Sequence, residues 1–319
     1  MKRVKKTLIF NAFAYIENTK GGVNINETDE LKVIETYMKL CVTSLISAKK
    51  NNPSSAVALV TNYNIPKKYV EIFKKHNIKI IKIQFDKFVF DKNMTWNLAF
   101  FKLCALDYVV NNLSYDNYLL LDTDTYVQNN LDDLFLESSK KILLYNMQHS
   151  LSIEQAINMN TEYQKLYNEE VYMINYGGEF ICGNKENLSI FLKECNRVYE
   201  KMKKENFKTK HGDEFIICSV ALKIPHLIKD GAPYIYRYWT GSFYLASTNY
   251  KYNPVSILHL PVEKNYGLIW IANYIIKKGA LPNNKLVWKK LGLPKSIRPF
   301  NFGFYYTMLK ILIKRRCNQ

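Results

Sequence analysis

The sequence lacks several features, and each absence excludes a class of protein. Its six cysteines are scattered with no C-x-x-C pair, which excludes the usual cysteine zinc and dithiol redox motifs. No N-terminal segment combines a basic start, a long apolar stretch and a small-residue cleavage site. The longest apolar run near the end, residues 268–276, is too short to cross a bilayer. We therefore expect reduced core cysteines and a cytoplasmic location.

Acidic residues are absent after Glu263, whereas twelve lysines and arginines lie between residues 264 and 316. The formal net charge of the 319-residue chain is +17, so most of the excess lies in this region. Residues 307–316 have the pattern of a short basic amphipathic helix, which can lie on an anionic membrane surface. A helix packed on the body with a solvated basic face is one alternative, and nucleic-acid binding is another. We favour peripheral binding to the inner face of the membrane over nucleic acid.

Strand and helix patterns alternate through the first half of the chain. The predicted strands are Thr7–Phe10, Ala56–Thr61, Ile78–Phe85, Tyr118–Asp122 and Ile142–Asn146. The predicted helices are Asp29–Lys50, Pro66–His76, Thr95–Asn111 and Asn160–Glu170. This alternation predicts an α/β fold with a single Rossmann-like, mostly parallel sheet flanked by helices. Because there is no Pro-, Gly- or Ser-rich linker, we expect one domain (residues 1–265) and a basic aromatic helical extension (residues 266–319).

Two carboxylates, Asp122 and Asp124, directly follow the apolar segment 118–121. Buried acids are costly unless a positive group compensates them. Mg²⁺ and Mn²⁺ prefer oxygen ligands and often bind one or two carboxylates together with substrate phosphates. Residues 122–125, Asp-Thr-Asp-Thr, are also of types that favour a turn, because their side chains bond to nearby backbone amides. Because residues 130–135 have the pattern of a helix start, the carboxylates fall in a strand-to-helix crevice, which favours the metal site.

Other polar residues also follow predicted strands. Asn11, Asn62 and Asp122 would emerge at the carboxyl ends of three parallel strands. Ligands bind at that edge of an open α/β sheet. We therefore expect the three residues to share one cleft.

Residues 121–127 and 130–135 closely resemble the metal-binding segment of glycogenin and related bacterial sugar transferases. That group includes the family 8-like lipopolysaccharide galactosyl- and glucosyltransferases, which are nucleotide-sugar enzymes with a GT-A fold. The resemblance spans roughly residues 7–265. It implies a GT-A domain that uses Mn²⁺ or Mg²⁺ to hold the diphosphate of a donor, most often a UDP-sugar.

The resemblance also implies a set of metal and phosphate ligands. Asp122 and Asp124 match the metal-binding acids, and Asp122 could also reach a ribose or sugar hydroxyl. His259 matches the late histidine that completes the metal shell, although an isolated histidine is often structural. Lys264 matches a lysine that meets the phosphate, but Val262 replaces the family's glycine and no Pro-Trp follows.

Further residues are candidates for the donor site, most of them from the resemblance and Asn62 from its position after a predicted strand. Those expected to contact the nucleotide sugar are Asn11, Tyr15, Asn62, Lys102, Asp122, Thr123, Asn175, Gly177, Gly178 and Lys264. Tyr15 is expected to stack on the base. The alternative for Lys102 is a surface lysine.

Asp213 and Glu214 resemble the family's later Asp-Gln segment, with a glutamate where glutamine is usual. A carboxylate there could act as a general base on the acceptor hydroxyl, which gives inversion. It could instead lie beneath the anomeric carbon in a retaining reaction. The two acids also suit the first turn of a helix, and both interpretations can hold together.

The sequence thus predicts a metal-dependent hexosyltransferase that moves a sugar from a nucleoside diphosphate to a carbohydrate or lipid-linked acceptor. A lipopolysaccharide or capsule precursor at the membrane would be such an acceptor. One rival is a nucleotidyltransferase that uses the same acid pair on sugar phosphates. Another is a non-catalytic protein on the same fold that binds membrane or nucleic acid through its basic end.

Overall fold

The computed structural model describes residues 6–17, 29–94, 96–240, 255–291, 293 and 302–317. The strands in these ranges are β1 (Thr7–Phe13), β2 (Ala56–Thr61), β3 (Ile78–Lys82), β4 (Asn117–Leu121), β5 (Thr125–Val127), β6 (Ile142–Asn146), β7 (Tyr176–Asn184), β8 (Ile228–Asp230), β9 (Ile235–Arg237) and β10 (Ile257–His259). The α-helices are α1 (Glu30–Asn51), α2 (Lys67–Lys75), α3 (Phe101–Asn112), α4 (Asp132–Ser138), α5 (Ile153–Tyr167), α6 (Lys185–Lys204), α7 (Asp213–Lys223), α8 (Gly267–Lys278), α9 (Asn284–Leu291) and α10 (Phe302–Cys317).

Seven strands form the central sheet, in the order β3-β2-β1-β4-β7-β6-β8. The first four are mutually parallel, as the alternation of strands and helices predicts. β7 runs antiparallel to both of its neighbours, β4 and β6, and β8 is parallel to β6. The predicted α/β fold with a mostly parallel central sheet is therefore confirmed.

Helices cover both faces of this sheet because its strands are apolar on both sides. Ile9 and Leu119 face the layer that contains α1, α8 and α9. Leu8 and Leu120 face the layer that contains α3, α6 and α7. The five cysteines whose side chains are described are buried and unpaired, as expected of reduced core residues.

A second, three-stranded sheet has the order β5-β10-β9. β10 runs antiparallel to β5, and the register places His259 opposite Thr125. This long-range pairing brings the end of β10 next to the turn between β4 and β5. Because Asp124 directly precedes Thr125, this pairing brings His259 close to Asp124.

Strand β7, at the centre of the sheet, is not among the strands predicted from the sequence. Three glycines and Glu179 interrupt its apolar pattern, and the segment has the composition of a loop. In the fold it is a central strand, buried over most of its length. Hydrogen bonds to β4 on one side and to β6 on the other hold this segment as a strand.

The predicted helix over residues 160–170 is wrong in its bounds. α5 begins seven residues earlier, at Ile153, because Ser152 and Gln155 form a capping box. It ends at Tyr167 because Asn168 adopts a left-handed conformation with φ 55°. The predicted helix from Thr95, which itself lies outside the described residues, is a 3-10 turn over Asn97–Phe100 followed by α3.

Helices α8 and α9 pack into the same core as α1. Leu268 and Ile271 of α8 and Val287 of α9 are buried there, and Leu268 O accepts a hydrogen bond from Thr43. The predicted boundary at residue 265 therefore does not coincide with an edge of the core. None of the helices in the described part of the chain has the length and apolar content that crossing a bilayer requires.

Candidate functional site

The candidate site lies at the carboxyl end of β4, where the chain turns into β5. Thr125 Oγ1 donates to Asp122 O at 2.8 Å, and Asp122 N donates to Glu179 O at 3.0 Å. These bonds use the backbone of Asp122 and the Thr125 hydroxyl, so neither the Asp122 nor the Asp124 carboxylate takes part in them. The turn chemistry and the ligand role are therefore compatible.

Asp122, Asp124 and His259 form the candidate metal centre. One ligand atom from each residue can be chosen so that all three lie within 4.8 Å of one another. His259 Nε2 is 3.2 Å from Asp124 Oδ2, which is buried and accepts no well-aligned hydrogen bond. Two carboxylates and an imidazole fit Mn²⁺ or Mg²⁺, since Mg²⁺ prefers carboxylate oxygens and imidazole also suits transition metals.

Cations surround Asp124, whose side chain is only 2% exposed. Lys264, on a 3-10 turn over Pro261–Asn265, places Nζ 3.2 Å from Asp124 Oδ2. Burial alone would raise the pKa of Asp124, but Lys264 and His259 hold it well below its ordinary value. Burial would lower the pKa of His259, but Asp124 and Glu179 raise it to about 9. The acid is therefore ionised at neutral pH and ready to bind a cation.

Lys102 links the acid pair to α7. Its Nζ lies 3.3 Å from Asp122 Oδ1 and 3.0 Å from Asp213 Oδ2, and it donates to Gly178 O at 3.0 Å. Burial alone would lower the pKa of Lys102, but Asp122 and Asp213 raise it above its ordinary value. A surface lysine, the alternative for this residue, is wrong because its side chain is mostly buried.

Asp213 and Glu214 occupy the first turn of α7, so the predicted helix start is correct. Gly212, with φ 59°, turns the chain immediately before them, a conformation that favours glycine. Burial raises the pKa of Asp213 to about 6, against the opposing charge of Lys102. Burial likewise raises the pKa of Glu214 to about 7, although 27% of its side chain is exposed. Glu214 can therefore exchange a proton near neutral pH.

Gly177 and Gly178 allow charged side chains to lie against β7. A Cβ at position 178 would overlap Asp213 and lie 2.7 Å from Lys102 Nζ. A Cβ at position 177 would overlap the carboxylate of Glu179. The two glycines are thus required by the charged cluster itself.

Glu179 and Arg237 belong to the cluster, although neither is predicted from the sequence to be a site residue. Arg237 donates two hydrogen bonds to Glu179, from Nε and Nη2, each at 2.8 Å. Arg237 Nη2 also lies 3.8 Å from Glu214 Oε1. The available signals were a glutamate inside an apolar segment and one of the few arginines in a lysine-rich chain.

The other predicted site residues lie around this cluster. Asn11 is fully buried, and its side-chain amide donates to Leu121 O at 2.8 Å and to Asp122 O at 3.3 Å. These bonds stabilise the backbone of the turn that carries the acid pair. Asn175 is also buried and donates to Gln148 Oε1. Thr123 is buried between the two acids.

Tyr15 and Asn62 form a separate pair at the ends of β1 and β2. Tyr15 N donates to Asn62 Oδ1, and Asn62 Nδ2 donates to Tyr15 O, both at 2.8 Å. The Tyr15 ring lies 5.0 Å from that of Tyr63. The Tyr63 ring contacts Phe13, and the Phe13 ring contacts Tyr37. Burial raises the pKa of Tyr37; the charge of Lys264 lowers this pKa, and that of Asp124 raises it. These four rings form an aromatic wall that runs from Tyr15 to Tyr37.

In the described part of the chain, nine acidic and basic side chains converge at this edge of the sheet. The acids are Asp122, Asp124, Glu179, Asp213 and Glu214, and the bases are Lys102, Arg237, His259 and Lys264. When His259 has lost its proton to bind a metal and all five carboxylates are ionised, the three permanent cations leave a net charge of −2. A divalent cation would balance that charge.

Comparison of the sequence with protein-family models and with curated proteins finds no significant match.

Proposed function

We propose that the chain is a metal-dependent glycosyltransferase of the GT-A type. It would move a sugar from a nucleoside diphosphate, of the UDP class, to a carbohydrate or lipid-linked acceptor. The observation that carries the proposal is the convergence of Asp122, Asp124 and His259, with ligand atoms within 4.8 Å of one another, at the carboxyl edge of a mostly parallel sheet. Open α/β sheets bind their ligands at that edge.

Asp122, Asp124 and His259 would hold the cation. A bound Mn²⁺ or Mg²⁺ would neutralise the negative charge that develops on the departing diphosphate. Lys264 supports the same role, because its ammonium already lies 3.2 Å from Asp124 and can meet a phosphate oxygen. Tyr15 and Asn62 would bind the nucleoside at the far end of the aromatic wall.

Lys102, Asp213 and the backbone at Gly178 would bind the donor sugar. Lys102 and Asp213 supply a donor and an acceptor of hydrogen bonds side by side, 3.0 Å apart. Hydroxyl groups need both kinds of partner. The absence of a side chain at Gly178 gives this pair the space that it occupies against β7.

Glu214 would act at the anomeric carbon. The acceptor oxygen forms a bond to that carbon while the bond to the diphosphate oxygen breaks, and the diphosphate leaves with the electron pair. In an inverting course Glu214 takes the acceptor proton, which suits a pKa of about 7. In a retaining course its carboxylate stabilises the positive charge at the anomeric carbon, and the acceptor proton passes to the leaving diphosphate.

Calorimetric titration tests the proposal. The purified chain and its Asp124→Asn variant are titrated with UDP, GDP, CDP and dTDP, each with and without Mn²⁺. Metal-dependent binding of one nucleotide that the variant loses is the expected result. If no nucleotide binds under either condition, the proposal fails. Release of diphosphate from a nucleoside triphosphate and a hexose phosphate would instead indicate the nucleotidyltransferase.

We also propose that the acceptor lies at an anionic membrane surface, which α10 would bind. Six exposed apolar side chains on α10 follow helical spacing: Phe302, Tyr305, Tyr306, Leu309, Leu312 and Ile313. Such a stripe inserts into the headgroup region of a bilayer. The acid-free, basic segment from residue 264 complements anionic lipid.

A further inference from the structure

Glu179 occupies the centre of the charged cluster, on the central strand β7. Its side chain is 1% exposed and lies between two cationic partners. Its Oε1 atom is 3.0 Å from His259 Nδ1, and both of its oxygens accept hydrogen bonds from Arg237. Burial alone would raise the pKa of Glu179, but Arg237 and His259 hold it well below its ordinary value. A buried carboxylate is costly, so its place among these partners needs an explanation.

The contact with Glu179 determines how the His259 ring is presented. One ring nitrogen, Nδ1, faces Glu179, and the other, Nε2, faces Asp124 at 3.2 Å. A histidine that donates Nδ1–H to a carboxylate keeps the lone pair of Nε2 for a metal ion. The ring orientation in this chain is therefore the one that a ligand of the Asp122 and Asp124 centre requires.

The backbone next to Glu179 is adapted to this arrangement. A Cβ at Gly177 would overlap the Glu179 carboxylate and lie 2.8 Å from Arg237 Nη2. The carboxylate can reach His259 and Arg237 together only because position 177 has no side chain. This constraint is independent of the hydrogen bonds.

We infer that Glu179 is a positioning residue that orients His259 toward the metal held with Asp122 and Asp124. The inference rests on the metal site of the proposed function. Through Arg237, which lies 3.8 Å from Glu214, the same carboxylate connects the metal centre with the acid proposed to act at the anomeric carbon.

The test is titration of the full metal-free chain with Mn²⁺ alone. The EPR signal of free Mn²⁺ measures how much of the metal is unbound. Glu179→Gln keeps the shape of the side chain but removes its charge, and we expect Mn²⁺ affinity to fall about 10- to 100-fold. Glu179→Asp keeps the charge but shortens the reach to His259, so we expect a similar fall. Glu137→Gln, which removes an acid paired with Lys229 outside the site, is the matched control and should bind as the parent does.

Arg237→Lys tests whether a loss of Mn²⁺ affinity comes from the contact between Glu179 and His259 or from any disturbance of the charged cluster. It keeps a cation beside Glu179 and leaves the contact with His259 in place, so Mn²⁺ affinity should stay within about threefold of the parent. Circular dichroism spectra and melting temperatures verify that each variant is folded. If Glu179→Gln binds Mn²⁺ as tightly as the parent, or Arg237→Lys weakens binding equally, the inference is overturned.

The proposed function and the inference can fail separately. Weakened Mn²⁺ binding in the Glu179 variants, with no cleavage of any nucleotide sugar by the parent, would keep the inference and remove the glycosyltransferase. Turnover of a nucleotide sugar with unchanged Mn²⁺ affinity in the folded Glu179 variants would do the reverse. A parent chain that binds no Mn²⁺ at millimolar concentration would overturn the inference.

Discussion

His259 Nε2 lies 3.2 Å from Asp124 Oδ2, although the two residues are distant in the sequence. The antiparallel pairing of β10 with β5 creates this contact, because it sets His259 opposite Thr125. The candidate metal centre therefore forms only when the small sheet has formed. Metal binding should accordingly depend on the fold and stabilise it.

Asp124→Asn should abolish Mn²⁺ binding and destabilise the metal-free protein. It leaves the cations of Lys264 and His259 buried without their partner, which we expect to cost about 3 kcal/mol. Urea unfolding measures the loss, and titration with Mn²⁺ measures the affinity. Asp132→Asn, at an exposed acid in the first turn of α4, is the control and should change neither quantity appreciably. Unchanged Mn²⁺ binding in Asp124→Asn would exclude this carboxylate as a ligand.

Mn²⁺ affinity should rise with pH up to about 9, the raised pKa of His259. Below that pH the ring must lose a proton before Nε2 can bind a metal, so affinity should increase about tenfold per pH unit. Calorimetry in two buffers of different ionisation enthalpy would also detect the released proton. His259→Asn should remove the slope along with most of the affinity. A flat profile in the parent chain would show that His259 is not a ligand.

Glu214 should make the metal-free protein less stable as the pH rises from about 4.5 to about 7. The folded protein binds this proton up to a pKa of about 7, whereas the unfolded chain releases it near the ordinary value of 4.5. The unfolded state therefore binds fewer protons in this window, and stability falls with rising pH. At about 1.4 kcal/mol per pKa unit, the loss is at most about 3.5 kcal/mol.

Glu214→Gln should remove this part of the pH dependence, because glutamine does not titrate. Urea unfolding at several pH values from 4.5 to 8 would measure the difference from the parent. Glu186→Gln, at an exposed acid in the first turn of α6, is the control and should preserve the parent profile. A profile that is the same in Glu214→Gln and the parent would contradict the raised pKa.

Gly178→Ala should impair donor binding more than stability. The added methyl group would meet Asp213 and the Lys102 ammonium, so the two charged groups must move apart. We expect a cost of about 1–3 kcal/mol in stability and at least tenfold weaker binding of the nucleotide sugar. Gly303→Ala, at an exposed helical position in α10, is the control and should leave both unchanged. Normal donor binding by folded Gly178→Ala would show that the pair lies outside the donor pocket.

Leu309→Glu and Ile313→Glu should weaken binding to anionic vesicles. Each change places an acid in the exposed apolar stripe of α10. Sedimentation with vesicles of phosphatidylglycerol and phosphatidylcholine measures the bound fraction, which should also fall in high salt. Leu136→Glu, at a similarly exposed leucine of α4, should bind as the parent does. Equal binding of all three variants, or preference for neutral vesicles, would contradict membrane binding through α10.

Local patterns in the sequence located most of the first half of the fold. β2 and β6 coincide with their predicted bounds, and β1 and β4 differ only at their ends. These strands are continuous apolar segments, which the sequence alone identifies. Strand β7 was not predicted because three glycines and Glu179 interrupt its apolar pattern. Pairing with two neighbouring strands, rather than local preference, makes it a strand.

The sequence by itself determined the parallel half of the sheet and the acid pair at its edge, because strand periodicity and the Asp-x-Asp spacing are local. Only the tertiary structure decided which side chains meet that pair. Glu179 and Arg237 have no motif of their own, and His259 resembles any isolated histidine until β10 pairs with β5. Their roles come from contacts between segments far apart in the chain, where burial makes each charge depend on the partner that the fold supplies.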